Sequence, residues 1–293
     1  MWIFLSLTAA FGAAGTSLVL KRAVEHGGVV VSTVAFRFLA GLLLLVLAAV
    51  YASDVQFTST YWLAAALATP PEVGGMLCLT MALRSGDLSL VQPILGLIPL
   101  LVMVGGIFVL NEIPAPVAAV GVVLVTTGVY FVGMTGRTSL LEPFRALARA
   151  KASRYAMGAV VFWTMTSVIH KIGIAEVGPF PWAVTLILGS ALLLTALLPI
   201  MRRRIGTRIR PMNPKPWTRL MLLGGVVFAL QQVGLHLALQ IAQAGYVVAV
   251  NSTSTFIATL IGVLILKEGG GSRYRIVGGT LVTCGAVLIA LAG

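Results

Sequence analysis

The sequence contains few charged residues, and acidic residues are especially scarce. Only 10% of its 293 residues are charged, and 8 residues are Asp or Glu. A soluble domain usually has about 25% charged and about 45–50% apolar residues, whereas 59% of this chain is hydrophobic. The composition therefore excludes a soluble globular protein, and no polar segment is long enough to form a separate soluble domain.

Cysteine and the motifs of nucleotide chemistry are also scarce. Cys78 and Cys284 both lie inside apolar segments, which predicts packing residues rather than a disulfide or a metal pair. The sequence has no Walker-type loop, so any ATP-driven process would need a separate subunit. No paired acidic or His-rich constellation lies near a membrane face, which argues against a membrane-embedded enzyme. We therefore expect no catalytic residue, no metal and no cofactor.

Long apolar runs are the abundant feature of the chain. A helix needs roughly 20 such residues to cross a hydrocarbon core of about 30 Å. Ten runs approach this length, at residues 2–22, 29–50, 60–83, 88–110, 116–134, 155–174, 181–200, 218–239, 246–266 and 274–292. The fold predicted is an all-α integral membrane protein with ten transmembrane helices. The first run lacks a basic start and a clear cleavage site, so we do not expect a removable signal peptide.

The basic residues lie between the apolar runs. A net charge of +12 would suggest a nucleic-acid partner in a soluble protein, but here it predicts orientation beside anionic lipid. Loops after the odd-numbered spans hold nearly all Lys and Arg residues, and loops after the even-numbered spans hold only Lys171. Both termini are therefore predicted to lie outside the cytoplasm. The expected location is a bacterial inner (plasma) membrane.

The two halves of the sequence resemble each other. Three collinear stretches align, namely 16–21 with 166–171, 82–112 with 238–268, and 124–128 with 281–285. Each half contains five spans, and an odd number reverses the direction in which the second half enters the membrane. The pattern predicts two inverted five-helix repeats, with the substrate site of a carrier near the bilayer midplane between them. The repeats are predicted at 1–136 and 155–293, with a basic linker at 137–154.

The five-span unit resembles the EamA-type unit of the drug/metabolite transporter superfamily. The resemblance rests on Lys21 at the end of the first span, Arg37 inside the second, the run 82–87 before a proline-bearing fourth span, and Leu110-Asn111-Glu112 at its end. It implies a ten-span, exporter-like carrier of amino acids, nucleotides, sugars or other metabolites. It also implies a central cavity lined mainly by spans one, three, four, six, eight and nine.

The second half departs from this pattern at two places. Ile187 stands at the repeat position of Arg37, and no proline of the fourth-span type occurs at Ala249 or Thr255.

Glu72 is an ionisable residue near the middle of the third span. An acid at this depth requires a partner, a water-filled cavity or a function. It directly follows Pro70 and Pro71, which remove backbone donors and are expected to break or kink the helix. One hypothesis makes Glu72 a proton-coupling residue or the ligand of a cationic substrate group. The alternative is a structural ion pair with Arg37.

Polar side chains in four other spans are candidates for the cavity. Gln232, His236 and Gln240 share one face of the eighth span, with Gln231 beside them, and either line the cavity or pack between helices. The remaining candidates lie in spans four, six and nine: Gln92, Trp163, Ser167, His170, Asn251 and Thr255. Trp163 would stack on a substrate or pack, and the hydroxyls of span nine would line a pocket or bond back to their own helix.

Glu112 and Glu268 stand at matching helix ends and are expected to be structural. They are predicted to pair with nearby charges or to cap a neighbouring helix rather than to bind substrate.

Taken together, these features predict a secondary active transporter that exports small polar metabolites such as amino acids by alternating access, with proton coupling through Glu72 as a hypothesis. The main alternative is an uncoupled facilitator or exchanger of metabolites or cationic drugs in which Glu72 is structural. A membrane-embedded enzyme or scaffold is the least favoured class. The expected partners are a small-molecule substrate and the lipid bilayer, without nucleic acid, and the chain is taken as a monomer.

Overall fold

A computed structural model describes residues 1–27, 29–51, 55–85, 91, 94–133, 149–205, 214–257 and 273–292. These residues form ten α-helices and no strand. The helices are α1 Trp2–Gly27, α2 Val29–Tyr51, α3 Ser59–Ser85, α4 Ile98–Leu110, α5 Pro116–Gly133, α6 Lys151–Val177, α7 Pro179–Ile205, α8 Pro214–Ile241, α9 Ala244–Asn251 and α10 Arg273–Ala292.

Six helices, α1, α2, α3, α6, α7 and α8, are long and apolar enough to cross a membrane. The helices α4, α5 and α10 are shorter apolar helices. The ninth predicted span, 246–266, is described only in part, because α9 ends at Asn251 and residues 258–272 lie outside the described part of the chain. The fourth predicted span likewise begins among residues outside it, including Gln92.

The proline pair in α3 does not break the helix. The sequence predicts a break or kink at Pro70 and Pro71, yet α3 continues from Ser59 to Ser85. Two adjacent prolines remove only two donors from a long hydrogen-bond ladder, and packing of α3 along α6 supports the helix on both sides of them. The expected break is therefore wrong.

Helices of the two halves pack in pairs along their lengths. Among the described helices, α1 packs along α8, α3 along α6, α5 along α10, and α2 against α7. Glycine permits the closest of these approaches. A Cβ atom added to Gly128 in α5 would lie 2.7 Å from the carbonyl oxygen of Gly278 in α10. Without a strong hydrophobic drive between helices in lipid, such small residues allow the backbone contact that holds two helices together.

An apolar cluster joins the two halves near one end of the helices. It includes Ala64 and Ala68 of α3, Val102 of α4, Trp182 of α7, and Ala238 of α8, all of which are buried. We refer to the buried cluster around these residues as the apolar plug. The same end contains the α4–α5 and α8–α9 connections.

Candidate functional site

Arg37 of α2 connects three helices inside the protein. Its Nη2 atom lies 2.6 Å from Oε1 of Glu72 in α3, and the two side chains are 9% and 14% exposed. Its Nη1 atom donates to the hydroxyl of Ser190 in α7 at 2.6 Å. The guanidinium also lies over the ring of Phe228 in α8, 5.6 Å from the ring centroid. Glu72 therefore has an internal counter-ion, as the structural alternative for this residue requires.

Ser190 is a member of this cluster that sequence reasoning missed. It accepts from Arg37 and donates to the carbonyl oxygen of Ile187 at 2.9 Å. In the sequence repeat, Ile187 occupies the position that corresponds to Arg37. Ser190 lies one helical turn after Ile187, so its hydroxyl comes from nearly the same place in the second half. A serine inside an otherwise apolar span was the available signal.

A pair of buried histidines lies between α6 and α8. The ring centroids of His170 and His236 are 4.8 Å apart. Trp182 Nε1 donates to His170 Nδ1 at 3.0 Å. Because the indole can only donate, His170 Nδ1 must be an acceptor, so the proton of the neutral ring is on Nε2. Trp182 is the second residue of this region that sequence reasoning missed.

His236 has the opposite tautomer. Its Nδ1 atom lies 2.8 Å from the carbonyl oxygen of Gln232, which can only accept, so Nδ1 bears the proton. His236 is 0% exposed, and its Nε2 atom has no hydrogen-bond partner within the described part of the chain. In the neutral ring this atom is a buried acceptor open to a donor from a ligand or water.

The polar face predicted for the eighth span is only partly buried. Gln232 and His236 are buried, but Gln240 is exposed near the end of α8. Gln231 lies against α1, where a Cβ atom added to Gly12 would be 2.8 Å from its Cβ. Gln240 instead lines a cavity of about 660 Å³ at the helix ends, together with Lys171 and Tyr246. Gln240 lies in the last turn of α8, at the exposed helix end, and does not join the buried pair.

Trp163 packs on α3. A Cβ atom added to Gly75 would lie 2.7 Å from Trp163 Nε1, so the indole occupies the groove that this glycine leaves open. The neighbouring candidate Ser167 is half-buried on the same helix. This geometry supports the packing alternative for Trp163.

Two of the hydroxyl groups that follow Asn251 donate hydrogen bonds to carbonyl oxygens of their own segment. Ser252 Oγ donates to the carbonyl oxygen of Val248 at 2.8 Å, and Thr253 Oγ1 donates to that of Val250 at 2.7 Å. Asn251 itself ends α9, and its Oδ1 atom is buried without a partner in the described chain. Thr255 lies half-buried just beyond α9.

Glu112 bonds at both carboxylate oxygens. Oε1 lies 2.9 Å from Lys171 Nζ in α6, and Oε2 accepts from the backbone N–H of Ala244 at 2.7 Å. Ala244 is the first residue of α9, so the carboxylate caps that helix where its N–H groups lack partners. Pairing with a charge and capping a neighbour, the two roles expected of Glu112, are both observed. Glu268 lies outside the described residues.

These features describe an all-helical integral membrane protein with buried polar groups held between its two halves. The sequence matches the EamA-like transporter family over residues 1–134 and 151–291. The chain therefore belongs to this family, within the drug/metabolite transporter superfamily, and it is a transporter by family.

A solved crystal structure has the same fold. It covers 99% of this chain and 97% of its own, with a TM-score of 0.75 and 15% sequence identity. At this identity the likeness establishes the fold alone. No curated protein matches the sequence.

Proposed function

We propose that the protein is a secondary carrier that exports small polar metabolites, such as amino acids, by alternating access. In this proposal the helices form ten membrane spans in two inverted repeats, 1–136 and 155–293, with a basic linker at 137–154. The protein lies in a bacterial inner membrane with both termini outside the cytoplasm. The observation that supports the proposal best is the symmetry of contacts between the halves.

The glycine contacts of α5 and α10 are reciprocal under the sequence repeat. The alignment of 124–128 with 281–285 pairs Gly121 with Gly278 and Gly128 with Gly285. In the structure Gly121 approaches Gly285, and Gly128 approaches Gly278, so each contact is converted into the other by exchange of the halves. The pairs α1–α8 and α3–α6 exchange in the same way. Two copies related by a two-fold axis produce this pattern.

Such symmetry supports alternating access. If the two repeats differ in conformation, an exchange of those conformations closes one end of the carrier and opens the other around a site between them. The buried histidine pair and Asn251 Oδ1 offer hydrogen-bonding groups to a polar substrate in this region. The remaining candidates, Gln92, Ser167, Gln231 and Thr255, keep their proposed place in the cavity lining.

The Arg37–Glu72 ion pair favours transport without proton coupling. Proton uptake by Glu72 would remove the charge that faces Arg37 at 2.6 Å and leave a buried cation unbalanced. Glu72 is therefore proposed as structural, and the carrier as an exchanger or facilitator. This reverses the order of the two mechanisms weighed from the sequence, because the contact with Arg37 is the one that the structural alternative requires.

Counterflow in proteoliposomes tests both parts of the proposal. The vesicles are loaded with one unlabelled solute, and uptake of the same labelled solute is followed without a pH gradient. Amino acids, amines, nucleotides and cationic drugs are compared, with protein-free vesicles as the control. We expect counterflow of an amino acid in the native protein and in Glu72→Gln. Counterflow of no class would contradict the carrier proposal, and a pH-gradient requirement that Glu72→Gln abolishes would restore proton coupling.

A further inference from the structure

Glu112 and Lys171 form a bonded group that crosses between the two halves of the chain. Lys171 Nζ binds Glu112 Oε1 at 2.9 Å and donates to the carbonyl oxygen of Ala242 at 2.7 Å. Glu112 Oε2 accepts from the N–H of Ala244 at 2.7 Å. Both charges thus bind each other and the same short turn between α8 and α9. One residue of the group belongs to the first half and the others to the second.

The backbone around Glu112 is shaped for these contacts. Asn111 ends α4 in the left-handed conformation, with φ 55°, and turns the chain away from the helix axis. The N–H of Glu112 then bonds the carbonyl oxygen of Gly106 at 3.0 Å. The left-handed conformation is unfavourable for most residues and is accepted best by Gly, Asn and Asp. The turn therefore holds the carboxylate in one position.

Two further bonds join the same segments of the two halves. Gln243 Nε2 donates to the carbonyl oxygen of Ile113 at 3.1 Å, and the N–H of Ala115 donates to the hydroxyl of Tyr246 at 2.8 Å. The α4–α5 connection is therefore attached to the α8–α9 connection along several residues. Separation of the halves at this end would break all of these bonds together.

The apolar plug lies at this same end. Ala238, which is 0% exposed, lies one turn before Ala242 on α8 and belongs to the plug with Val102 and Trp182. Side chains from both halves form this buried cluster, so the two halves pack together at this end in this structure. Lys171 lines the cavity at the helix ends. The charged group and the apolar plug thus join the two halves at the same end.

We propose that Glu112 and Lys171 form a latch that holds this end closed and must open in each transport cycle. The inference rests on the proposed alternating access and assigns a positioning function to two residues that are not among the candidate substrate-binding residues. The sequence repeat places Lys21 at the position of Lys171 and Glu268 at that of Glu112. The chain thus contains the same pair of residue types at matching positions of both repeats.

Accessibility of a buried thiol tests the latch. The background is Cys78→Ala/Cys284→Ala, and Ala238→Cys places one thiol in the apolar plug. A membrane-impermeant maleimide is added to intact cells and, separately, to inside-out vesicles. Gln240→Cys, an exposed position at the same end, shows which side of the membrane that end faces. Counterflow of the background variant confirms that the chain remains functional.

Loss of the latch is expected to expose the plug. Glu112→Gln and Lys171→Met should each raise the labelling rate of Ala238→Cys roughly tenfold, from the side that labels Gln240→Cys, which corresponds to ~1.4 kcal/mol. The double variant should label less fast than the two single effects predict together, because both single variants remove the same Glu112–Lys171 ion pair. In Lys171→Arg, which keeps the charge, the thiol of Ala238→Cys should label as slowly as in the background.

Glu176→Gln is the matched control. It removes a carboxylate that is bonded to Thr58 near the end of the same helix, and it should leave the labelling rate unchanged.

Unchanged labelling in both single variants, with normal labelling of Gln240→Cys, would overturn the latch. Size-exclusion profiles and helix content of each variant show whether it folds, and Lys171→Arg tests the charge in a variant that retains it on a slightly longer side chain. Counterflow measured on the same proteins separates the two proposals. Absent flux in the native protein as well as the background variant would refute the carrier, whereas normal flux with unaltered labelling in the latch variants would refute only the latch.

Discussion

Because Arg37 and Glu72 form a buried ion pair, we expect substitutions at the two residues to have non-additive effects on the free energy of unfolding. In Arg37→Met, Glu72 loses its counter-ion while only 14% exposed, and the hydroxyl of Ser190 loses its donor. Removal of one member of a buried ion pair typically costs about 3–5 kcal/mol. Glu72→Gln retains an oxygen that can accept from the guanidinium, so the loss there should be smaller, about 1–3 kcal/mol.

The double variant separates this coupling from the contribution of each side chain. In Arg37→Met/Glu72→Gln no charge of the pair remains, and the cost of an unpaired carboxylate disappears. We expect the double variant to be about 2–3 kcal/mol more stable than the sum of the single effects predicts. Ser190→Ala, which removes only the neutral acceptor, should cost about 1 kcal/mol.

Reversible unfolding in mixed detergent micelles of increasing SDS content measures these free energies. Circular dichroism follows helix content, and intrinsic fluorescence provides a second probe of the same transition. Additive losses in the double-variant cycle would refute the reasoning, since they would show that the two side chains do not interact in the folded protein. An Arg37→Met variant as stable as the native protein would refute it as well.

The remaining predictions concern packing and the histidine pair. Gly128→Ala should destabilise the protein by about 1–3 kcal/mol, since the new Cβ would lie 2.7 Å from the carbonyl oxygen of Gly278. Gly189→Ala, whose Cβ would make ordinary contacts at 3.5 Å, should be near neutral in the same unfolding assay, and equal losses would contradict this account. Trp182→Phe should cost about 1–3 kcal/mol, because the buried His170 Nδ1 loses the donor that it has in this structure. A thermal-shift comparison checks this, and an unchanged midpoint would exclude a structural contribution from the bond.

The helices were predictable because each depends on a local property of the chain. The run predicted at 116–134 corresponds to α5 from Pro116 to Gly133, and the run at 29–50 corresponds to α2 from Val29 to Tyr51. Apolar composition over roughly 20 residues is sufficient for such an assignment in a membrane protein, since lipid requires the backbone to bond within the helix. The expected break in α3 was wrong because the effect of a proline depends on the whole helix and its neighbours.

The candidate site was predictable only as a set of residue types. Glu72 and His236 could be singled out because polar groups are costly at membrane depth. Ser190, which bonds Arg37, and Trp182, which bonds His170, could not be identified, since both are distant in sequence from these residues and ordinary in type. The exposure of Gln240 depends on where α8 ends, and the groove that receives Trp163 depends on the position of Gly75 in another helix.

The sequence alone determined that the chain is a helical membrane protein with two similar halves that resemble a known transporter unit. Hydrophobicity, repeat alignment and short motifs are properties of neighbouring residues, so they can be read without coordinates. Only the tertiary structure decided that Arg37 pairs with Glu72, and that Glu112 bonds Lys171 across the two halves. Those contacts join distant parts of the chain at 2.6 Å and 2.9 Å, and packing of whole helices sets such distances.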